Sequence, residues 1–280
     1  MKIAVLSGKG GTGKTFVSVN LSVTAPQALY LDCDVEEPNG HLFLKPEDVH
    51  SEVVTKYLPE FDAEKCIGCR TCIDFCRFNA LAFIKDVPQV FNVICHSCGG
   101  CALACPQEAI TEKKVEIGHV DIGKHKNVEV ASGFLNIGEA SGIAIIQKLM
   151  QHADEYDAGN VIIDCPPGSA CPVVESIQDA DYCILVAEPT VFGVHNFEMV
   201  HELVQIMNKP CGVIINKAIE GNHIMDDVCA SENLRVLAKI PYRDNTALDG
   251  ANGKIAAETD DDLRETFEGI WRAIAEEVKA

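Results

Sequence analysis

The chain has 280 residues, of which 47% are hydrophobic, and it carries a formal net charge of −19 at pH 7. Nucleic-acid binding depends on cations that neutralise phosphates, so this acidic chain is a poor candidate for general DNA or RNA binding. No apolar run approaches the roughly 18–20 residues that would span a membrane, and no secretory segment precedes the first strand. We therefore expect a cytoplasmic protein with one large and one small domain.

Short apolar runs alternate with longer helical stretches along most of the chain. The predicted strands cover residues 2–6, 28–31, 161–163, 182–187, 212–215 and 236–240, and the predicted helices include residues 139–152 and 192–207. Apolar runs of this length are typical of strands that are buried on both faces of a parallel sheet. The alternation predicts an α/β fold with a doubly wound, mostly parallel sheet.

A glycine-rich loop, GKGGTGKT, follows the first predicted strand and precedes a helix, and it fits the pattern G-x-x-x-x-G-K-[ST]. Its backbone N–H groups and the helix N-terminus would surround the phosphates of ATP or ADP. Lys14 would reach the β- and γ-phosphates, and Thr15 would hold Mg²⁺. The candidate nucleotide-binding residues of the loop are Gly8, Lys9, Gly10, Gly11, Thr12, Gly13, Lys14 and Thr15.

Eight of the 14 cysteines form two copies of C-x-x-C-x-x-C-x-x-x-C, offset by 29 residues. In the ferredoxin pattern for two [4Fe–4S] clusters, the fourth cysteine of each run ligates the other cluster. Structural zinc instead favours two spaced pairs around one ion. The predicted ligands are Cys66, Cys69, Cys72 and Cys105 for cluster one, and Cys95, Cys98, Cys101 and Cys76 for cluster two.

The internal repeat continues past the cysteines, because Ala80-Leu81 aligns with Ala109-Ile110. Each half should be a cysteine-bearing turn followed by a short strand, and the two halves together should form an α+β, ferredoxin-like domain. We predict that this domain, residues 60–113, is inserted into a discontinuous body made of residues 1–59 and 114–280. Residues 114–135 should return the chain to the sheet.

The two halves of the repeat differ beside their last cysteines. Pro106 follows the second run, whereas Arg77 follows the first, where it would change the charge or the hydrogen bonding near cluster two. His96 lies inside the second run. We expect it at the surface or beside the cluster, and not as a ligand, because thiolates already complete both sets.

The segment KGGTGKT, with its early lysine Lys9, resembles the deviant phosphate-binding loop of the MinD, ParA and nitrogenase-iron-protein class of ATPases. This resemblance implies an ATP-dependent dimer in which Lys9 reaches a phosphate in the partner subunit. The segment Leu31-Asp32-Cys33-Asp34 resembles the first switch of the class, which implies that Asp34 positions the attacking water. With Lys9, Lys14 and Asp164, Asp34 completes the predicted catalytic set.

Later segments match the same class. Residues 161–168, VIIDCPPG, resemble the strand and second switch in which Asp164 acts on Mg²⁺ through its water shell and the Gly168 N–H senses the γ-phosphate. Asn216 resembles a residue that contacts adenine, and Pro241 resembles one that lines the base pocket. The resemblance covers nearly the whole chain. With the insertion, it is strongest to MinD-superfamily ATPases that carry a ferredoxin domain.

The resemblance implies an ATPase that is slow without a partner and that forms a nucleotide-dependent homodimer or a heterodimer with a paralogue. Three functions remain open at this stage. The first is ATP-gated electron transfer to a partner protein. The second is iron–sulfur cluster delivery or metallocluster maturation, and the third is a positioning or regulatory ATPase whose clusters sense redox state.

Six cysteines lie outside the two runs. Cys183 and Cys211 fall in buried apolar strands, where cysteine acts as a small hydrophobe. Cys171 follows the second switch, and we expect it to pack in the interior, with a redox or transient metal role as the alternative. Apolar residues at helical spacing over 263–278 predict a terminal helix. Because its polar face is acidic, we expect it to pack on the sheet and not to bind membranes.

Overall fold

A computed structural model describes residues 1–84, 87–156 and 159–279. The strands are β1 (Lys2–Leu6), β2 (Ala28–Asp32), β3 (Glu47–Phe61), β4 (Leu81–Ile84), β5 (Val87–Val90), β6 (Ile110–His125), β7 (Val128–Leu135), β8 (Val161–Asp164), β9 (Tyr182–Ala187), β10 (Cys211–Ala218) and β11 (Val236–Pro241). The helices are α1 (Lys14–Thr24), α2 (Gly40–Leu44), α3 (Thr71–Phe75), α4 (Gly100–Leu103), α5 (Ile143–Glu155), α6 (Cys171–Ile177), α7 (Val191–Ile206), α8 (Ile224–Ser231), α9 (Asp244–Ala251), α10 (Ala256–Thr259) and α11 (Asp261–Lys279).

Within the described residues, one nine-stranded sheet has the order β11-β10-β9-β1-β8-β2-β7-β6-β3, and β4 pairs with β5 in a small separate sheet. The strands from β11 to β7 run parallel to one another. β6 is antiparallel to β7, and β3 is antiparallel to β6. The mostly parallel α/β fold predicted from the alternating pattern is confirmed.

Alternate residues of the central strands pack against helices on opposite faces of the sheet. Ala4 and Leu6 of β1 join the cluster that contains residues of α5, α6 and α7. Ile3 and Val5 join the other cluster, which contains residues of α1 and α11. Because both faces are covered, nearly every position of these strands is apolar, which produces the unbroken hydrophobic runs in the sequence.

Two helix predictions have different outcomes. The terminal helix α11 packs on the sheet as predicted, with Phe267 and Ile274 fully buried. The helix predicted to start at residue 139 begins instead at Ile143. Residues 136–142 form a loop that contains Gly138, with a φ of +90°, and Gly142 is the N-cap of the helix. In the described residues, no helix is long and apolar enough to cross a membrane.

The strands β3 and β6 form a long antiparallel ribbon at one edge of the sheet, paired from Glu47↔Lys124 to Phe61↔Ile110. The predicted domain boundaries at 59/60 and 113/114 fall inside these two strands. Residues 62–109, between them, contain α3, α4 and the β4–β5 hairpin. The cysteine-bearing segment therefore joins the body through the β3–β6 ladder, whose register shifts twice along its length, and the boundaries themselves stay a prediction.

The two halves of the cysteine-bearing segment repeat the same backbone contacts. The Asp62 N–H donates to the Ala109 carbonyl, and the Phe91 N–H, 29 residues later, donates to the Ala80 carbonyl. In the same way, the strand pair Phe61↔Ile110 corresponds to Val90↔Leu81. Each half of the segment completes its backbone hydrogen bonding with the other half. The sequence repeat therefore appears in the structure as two halves related by an approximate twofold axis.

Candidate functional site

The phosphate-binding loop lies between β1 and α1, at the edge of the sheet where the parallel strands end. Gly13 has a φ of +100°, and a Cβ atom there would come within 2.0 Å of the Asn216 amide nitrogen. Both facts exclude a larger residue at this position. The loop therefore turns sharply into α1, with the helix N-terminus directed at the space where an anion would bind.

The Lys14 side chain is buried among carboxylates at this edge. Its Nζ lies 2.8 Å from Asp164 Oδ1 and 3.6 Å from Asp34 Oδ2. Burial alone would lower the pKa of Lys14, but these neighbouring carboxylates outweigh it and raise the pKa above its usual value. The lysine thus stays charged, and it faces the two predicted catalytic aspartates.

A second layer of residues holds this arrangement in place. The Tyr30 hydroxyl donates to the other oxygen of Asp164 at 2.9 Å. Asp32 is fully buried, and its Oδ2 accepts from the backbone N–H groups of Asn39 and Gly40. Burial and the nearby Asp164 carboxylate raise the pKa of Asp32 to about 7. Asp32 therefore organises the loop that carries Asp34.

A cavity of about 590 Å³ opens above the phosphate-binding loop. Its volume lies in the range typical of small-molecule sites. The cavity is lined by Lys9, Gly10, Gly11, Gly13, Lys14, Thr15, Asp34, Val35, Glu36, Glu37, Asn39, Gly142, Pro166 and Pro167, among others. Hydroxyl and carboxylate oxygens are donors that suit Mg²⁺, and Thr15 and Asp34 bring such oxygens to this wall.

The early lysine of the loop is engaged within its own chain. Lys9 Nζ lies 2.9 Å from the carboxylate of Glu188, which follows β9. The same carboxylate accepts from Lys217, whose Nζ also donates to the Gly11 carbonyl at 2.7 Å. Burial would raise the pKa of Glu188, but the two lysines lower it below its usual value. Glu188 is thus ionised and holds Lys9 against the body.

Three residues predicted to bind nucleotide are engaged elsewhere in this conformation. The Asn216 amide donates to the Thr12 carbonyl at 2.8 Å and supports the loop from behind. The Gly168 N–H donates to the Ser7 carbonyl at 2.9 Å. Pro241 is exposed at the end of β11, beside Ala218. None of the three lines the cavity described above, so their adenine and γ-phosphate roles stay predictions.

The eight clustered cysteines line two separate cavities. One is lined by Cys66, Cys69, Cys72 and Cys105, and the other by Cys76, Cys95, Cys98 and Cys101. In each cavity, three cysteines come from one run and the fourth comes from the other run. The structure thus brings the cysteines together in the crossed arrangement that the spacing predicts for two clusters.

The donors around these cavities suit iron–sulfur clusters. The Thr71 hydroxyl donates to Cys69 Sγ at 3.3 Å and lowers the pKa of that thiol, which favours the thiolate. The Ala109 N–H donates to Cys105 Sγ, also at 3.3 Å. Ser97 lines the second cavity, and its buried hydroxyl has no hydrogen-bond partner among the residues that the structure describes, as expected of a group directed at an acceptor not supplied by the chain.

Within the described ranges, no group of three or more His, Cys, Asp or Glu side chains could hold a metal ion. The crossed cysteine sets surround cavities, and a four-iron cluster would bind each thiolate through a different iron. His96 is exposed and stacks on the Phe78 ring, with the ring centroids 3.8 Å apart. It lines the wall of the second cavity beside the cysteines.

A family model, the CobQ/CobB/MinD/ParA nucleotide binding domain, matches residues 3–256. The chain belongs to this family. An uncharacterised protein of Methanocaldococcus jannaschii, MJ0578, is 31% identical over 221 residues, which cover 78% of each chain. The same organism's uncharacterised ferredoxin MJ0722 is 39% identical over 69 residues, covering 23% of this chain and 90% of the ferredoxin.

The MinD/ParA-type fold is also seen in solved structures. The septum site-determining protein MinD complexed with Mg-ADP, from Pyrococcus horikoshii, superposes with a TM-score of 0.62. The superposition covers 98% of this chain and 95% of that protein at 18% identity. At this identity the likeness shows the fold, and it confirms the fold family inferred from the phosphate-binding loop.

The expectation that Cys171 packs in the interior of the MinD/ParA-type domain is wrong. Cys171 is exposed, because it opens α6 at the surface directly after the second switch. Cys183 is buried as predicted, whereas Cys211 lies at the strand start and is only partly buried. The exposure of Cys171 depends on the path of the loop between β8 and α6, and the spacing of residues in the sequence does not reveal that path.

Several residues of the nucleotide site were not predicted from the sequence. Asp32, Glu188 and Lys217 lie at or near the carboxyl ends of β2, β9 and β10, at the edge that carries the loop, and Tyr30 lies in the middle of β2. The signal for Asp32 and Glu188 was a charged residue at the end of an apolar strand. Such residues in a parallel α/β sheet gather at one edge, which is where ligands bind. Tyr30 carried no such signal.

Proposed function

We propose that this protein is an ATP-hydrolysing iron–sulfur protein that couples a MinD-like nucleotide switch to two [4Fe–4S] clusters, for ATP-gated electron transfer to a partner protein. One observation carries the proposal: two crossed four-cysteine cavities share a β-ladder with the domain that holds the phosphate-binding loop. Membership of the nucleotide-binding family and the match to a ferredoxin support the two halves of the proposal.

The residues of the cavity have distinct roles in hydrolysis. Lys14 would bind the β- and γ-phosphates and stabilise the charge that develops on them. Asp34, at the cavity wall, would orient the attacking water for in-line displacement. Thr15, at the cavity wall, would hold Mg²⁺, which neutralises phosphate charge when bound. Asp164 is fully buried behind Lys14 and would act on the metal through its water shell. Lys14 must first exchange its contact with Asp164 for a phosphate, so the carboxylates keep the lysine in place until nucleotide arrives.

Lys9 supplies the connection to a second subunit in this proposal. It lies in the cavity wall and is about one-third exposed, and its only restraint among the described ion pairs is Glu188. Because Lys217 also pairs with the Glu188 carboxylate, Lys9 can leave Glu188 without leaving a buried charge unpaired, and it can then reach a phosphate across a dimer interface. Dimerisation would then depend on bound nucleotide.

The two cysteine sets would each hold one cluster, which supplies one-electron transfer when bound. Clusters near the protein surface are accessible to a partner, and Cys69 and Cys98 are exposed at the two cavities. The net charge of −19 favours an acceptor with a basic docking surface. Cluster delivery would instead require labile ligation, which complete four-thiolate sets do not favour.

The first experiment is an anaerobic redox titration of the purified protein by electron paramagnetic resonance, with and without MgATP. We expect two [4Fe–4S] signals. When MgATP binds, the reduction potential of one cluster should shift by at least about 30 mV. For a one-electron couple, 59 mV corresponds to a tenfold change in the equilibrium constant, so this shift is about half of that. Absence of the clusters or of ATP binding would refute the proposal. A shift in potential without electron delivery to any acceptor would favour redox sensing.

A further inference from the structure

Lys56 of β3 touches two segments that are distant in sequence. Its Nζ donates to the backbone carbonyl of Asn92 at 3.2 Å and forms an ion pair with the carboxylate of Glu139. The Lys56 side chain is 12% exposed and the Glu139 side chain 19%. Ion pairs that are mostly removed from water depend strongly on both partners, because either charge alone is poorly solvated.

Glu139 belongs to the loop 136–142, which leads to the nucleotide cavity. Gly142 lines that cavity and packs so closely against Val35 that a Cβ on Gly142 would lie 2.2 Å from a Val35 methyl group. Val35, next to Asp34, also accepts a backbone hydrogen bond from Leu135 at 2.9 Å. A displacement of the segment that carries Asp34 would therefore move the loop that carries Glu139.

Asn92 lies at the other end of the connection, in the turn between β5 and the second cysteine run. That turn is closed by the Ile94 N–H, which donates to the Phe91 carbonyl at 3.1 Å, and Cys95 follows immediately. Cys95 lines the second cysteine cavity. A force on the Asn92 carbonyl thus acts on the segment that positions the first ligand of cluster two.

We propose that Lys56 is a positioning residue that couples the nucleotide cavity to the second cysteine cavity, through Glu139 on one side and the Asn92 carbonyl on the other. This inference rests on the proposed function. Coupling between two sites is reciprocal, so nucleotide would change the properties of cluster two, and the redox state of cluster two would change nucleotide affinity. Neither Lys56 nor Asn92 is among the described residues that line the first cysteine cavity, so cluster one serves as an internal comparison.

The chain supplies a matched control pair. Lys148 of α5 forms an ion pair with Glu52, which lies on the same strand as Lys56, at 2.9 Å. The side chains of Lys148 and Glu52 are both about 40% exposed, and none of the described hydrogen bonds or ion pairs joins either of them to loop 136–142 or to the turn at Asn92. A Lys148→Met variant removes one lysine from an ion pair on β3 without affecting the proposed connection.

The test measures binding of a slowly hydrolysed ATP analogue, ATPγS with Mg²⁺, to the anaerobically purified holoprotein with oxidised and with reduced clusters. We expect the two dissociation constants to differ by at least about fivefold in the unaltered protein and in Lys148→Met, and by less than about twofold in Lys56→Met. Lys56→Arg keeps both contacts and should retain the difference. Hydrogen exchange of residues 91–95 should respond to nucleotide in every variant except Lys56→Met.

The outcomes separate the two proposals. Lack of iron or of nucleotide binding in the unaltered protein would refute the proposed function and this inference together. Equal affinities in both redox states of the unaltered protein would overturn the coupling. A full difference retained by Lys56→Met, or an equal loss in Lys148→Met, would overturn the role of Lys56 and leave the proposed function standing.

Discussion

The nucleotide-binding body and the cysteine-bearing segment 62–109 are stabilised in different ways. In the body, the central strands are buried on both faces and contribute to two extensive hydrophobic clusters. In the described part of the segment, the buried cluster consists of Cys72 and Leu81, joined by Ile110 from the start of β6. Its large exposed apolar side chains include Ile67, Phe75, Phe78, Phe91, Val93, Ile94 and Leu103.

This contrast shows that hydrophobic burial can account for the folding of the body but not of the segment. Small domains with little core depend on disulfides or metal ligation, and ligand binding then contributes directly to folding. The β3–β6 ribbon holds the two ends of the segment in register. On the proposed function, the interior of the segment would be held by the cysteines and the clusters that they bind. Four predictions test this contrast, from the largest expected effect to the smallest.

The largest effect is expected from Cys72→Ala, which removes a buried cysteine predicted to ligate cluster one. We expect loss of roughly half of the iron, since one of two clusters goes. Residues 62–109 should lose most of their hydrogen-exchange protection, while β1 and β8 keep theirs. Cys171→Ala, at an exposed position in the body, is the control and should change neither. A variant that lacks iron yet keeps a fully protected segment would refute the contrast.

Lys14→Ala should affect only the body. It removes the cation beside Asp164 and Asp34, and loss of one charged partner should weaken ATP binding at least about tenfold. The nucleotide-free protein should lose about 3 kcal/mol of unfolding free energy, because the buried carboxylates lose their counter-ion. Urea unfolding can be followed by Trp271, the one tryptophan, whose indole N–H donates to the Leu21 carbonyl.

The matched control for Lys14→Ala is Lys148→Ala, whose exposed ion pair should be worth less than about 1 kcal/mol. Iron content should be unchanged in both variants. If Lys14→Ala loses iron together with ATP binding, then the two regions do not fold independently.

Asp32 predicts a pH dependence confined to the nucleotide-free body. Its pKa of about 7 lies above the ordinary value of 3.8, so between these values the folded state binds more protons than the unfolded state. Stability from this group is therefore fully present below about pH 4 and is lost as pH rises toward 7. Between these two pKa values, the free energy of unfolding should fall by about 1 kcal/mol for each unit of pH.

Asp32→Asn should abolish this slope, since an amide does not titrate, while its oxygen can still accept the backbone bonds from Asn39 or Gly40. Unfolding measured with the Trp271 signal at pH 5.5, 6.5 and 7.5 would compare the two proteins. Equal slopes in both proteins would show that Asp32 titrates normally, and that the buried edge is more hydrated than its contacts indicate.

The smallest effect is expected from Glu188→Gln, which weakens the restraint on Lys9. If Lys9 acts across a dimer interface, its release should strengthen MgATP-dependent dimerisation by about two- to fivefold, the range of a partly exposed ion pair. Sedimentation velocity with and without MgATP measures this. Lys217→Met, which removes the other lysine from Glu188, controls for a general change in the carboxylate. Weaker dimerisation in Glu188→Gln would reverse the assigned role of Glu188.

Local features were predictable from the sequence because their causes are local. The phosphate-binding loop is set by eight consecutive residues, and the crossed cysteine sets follow from spacings of two and three residues. The start of α5 was predicted four residues too early, because residues 139–142 belong to a loop whose last residue, Gly142, is the helix N-cap. The exposure of Cys171 was missed because it depends on the path of a loop.

The sequence by itself determined the fold class, the nucleotide-binding loop and the grouping of the cysteines, since periodicity and spacing encode each of these. Only the tertiary structure decided which charges meet. Lys14 and Asp164 are 150 residues apart, and Lys56 and Glu139 are 83 apart. The order of strands in the sheet brings these pairs together. Because a long-range contact depends on how separate elements pack, neither partner's neighbourhood in the sequence reveals the other.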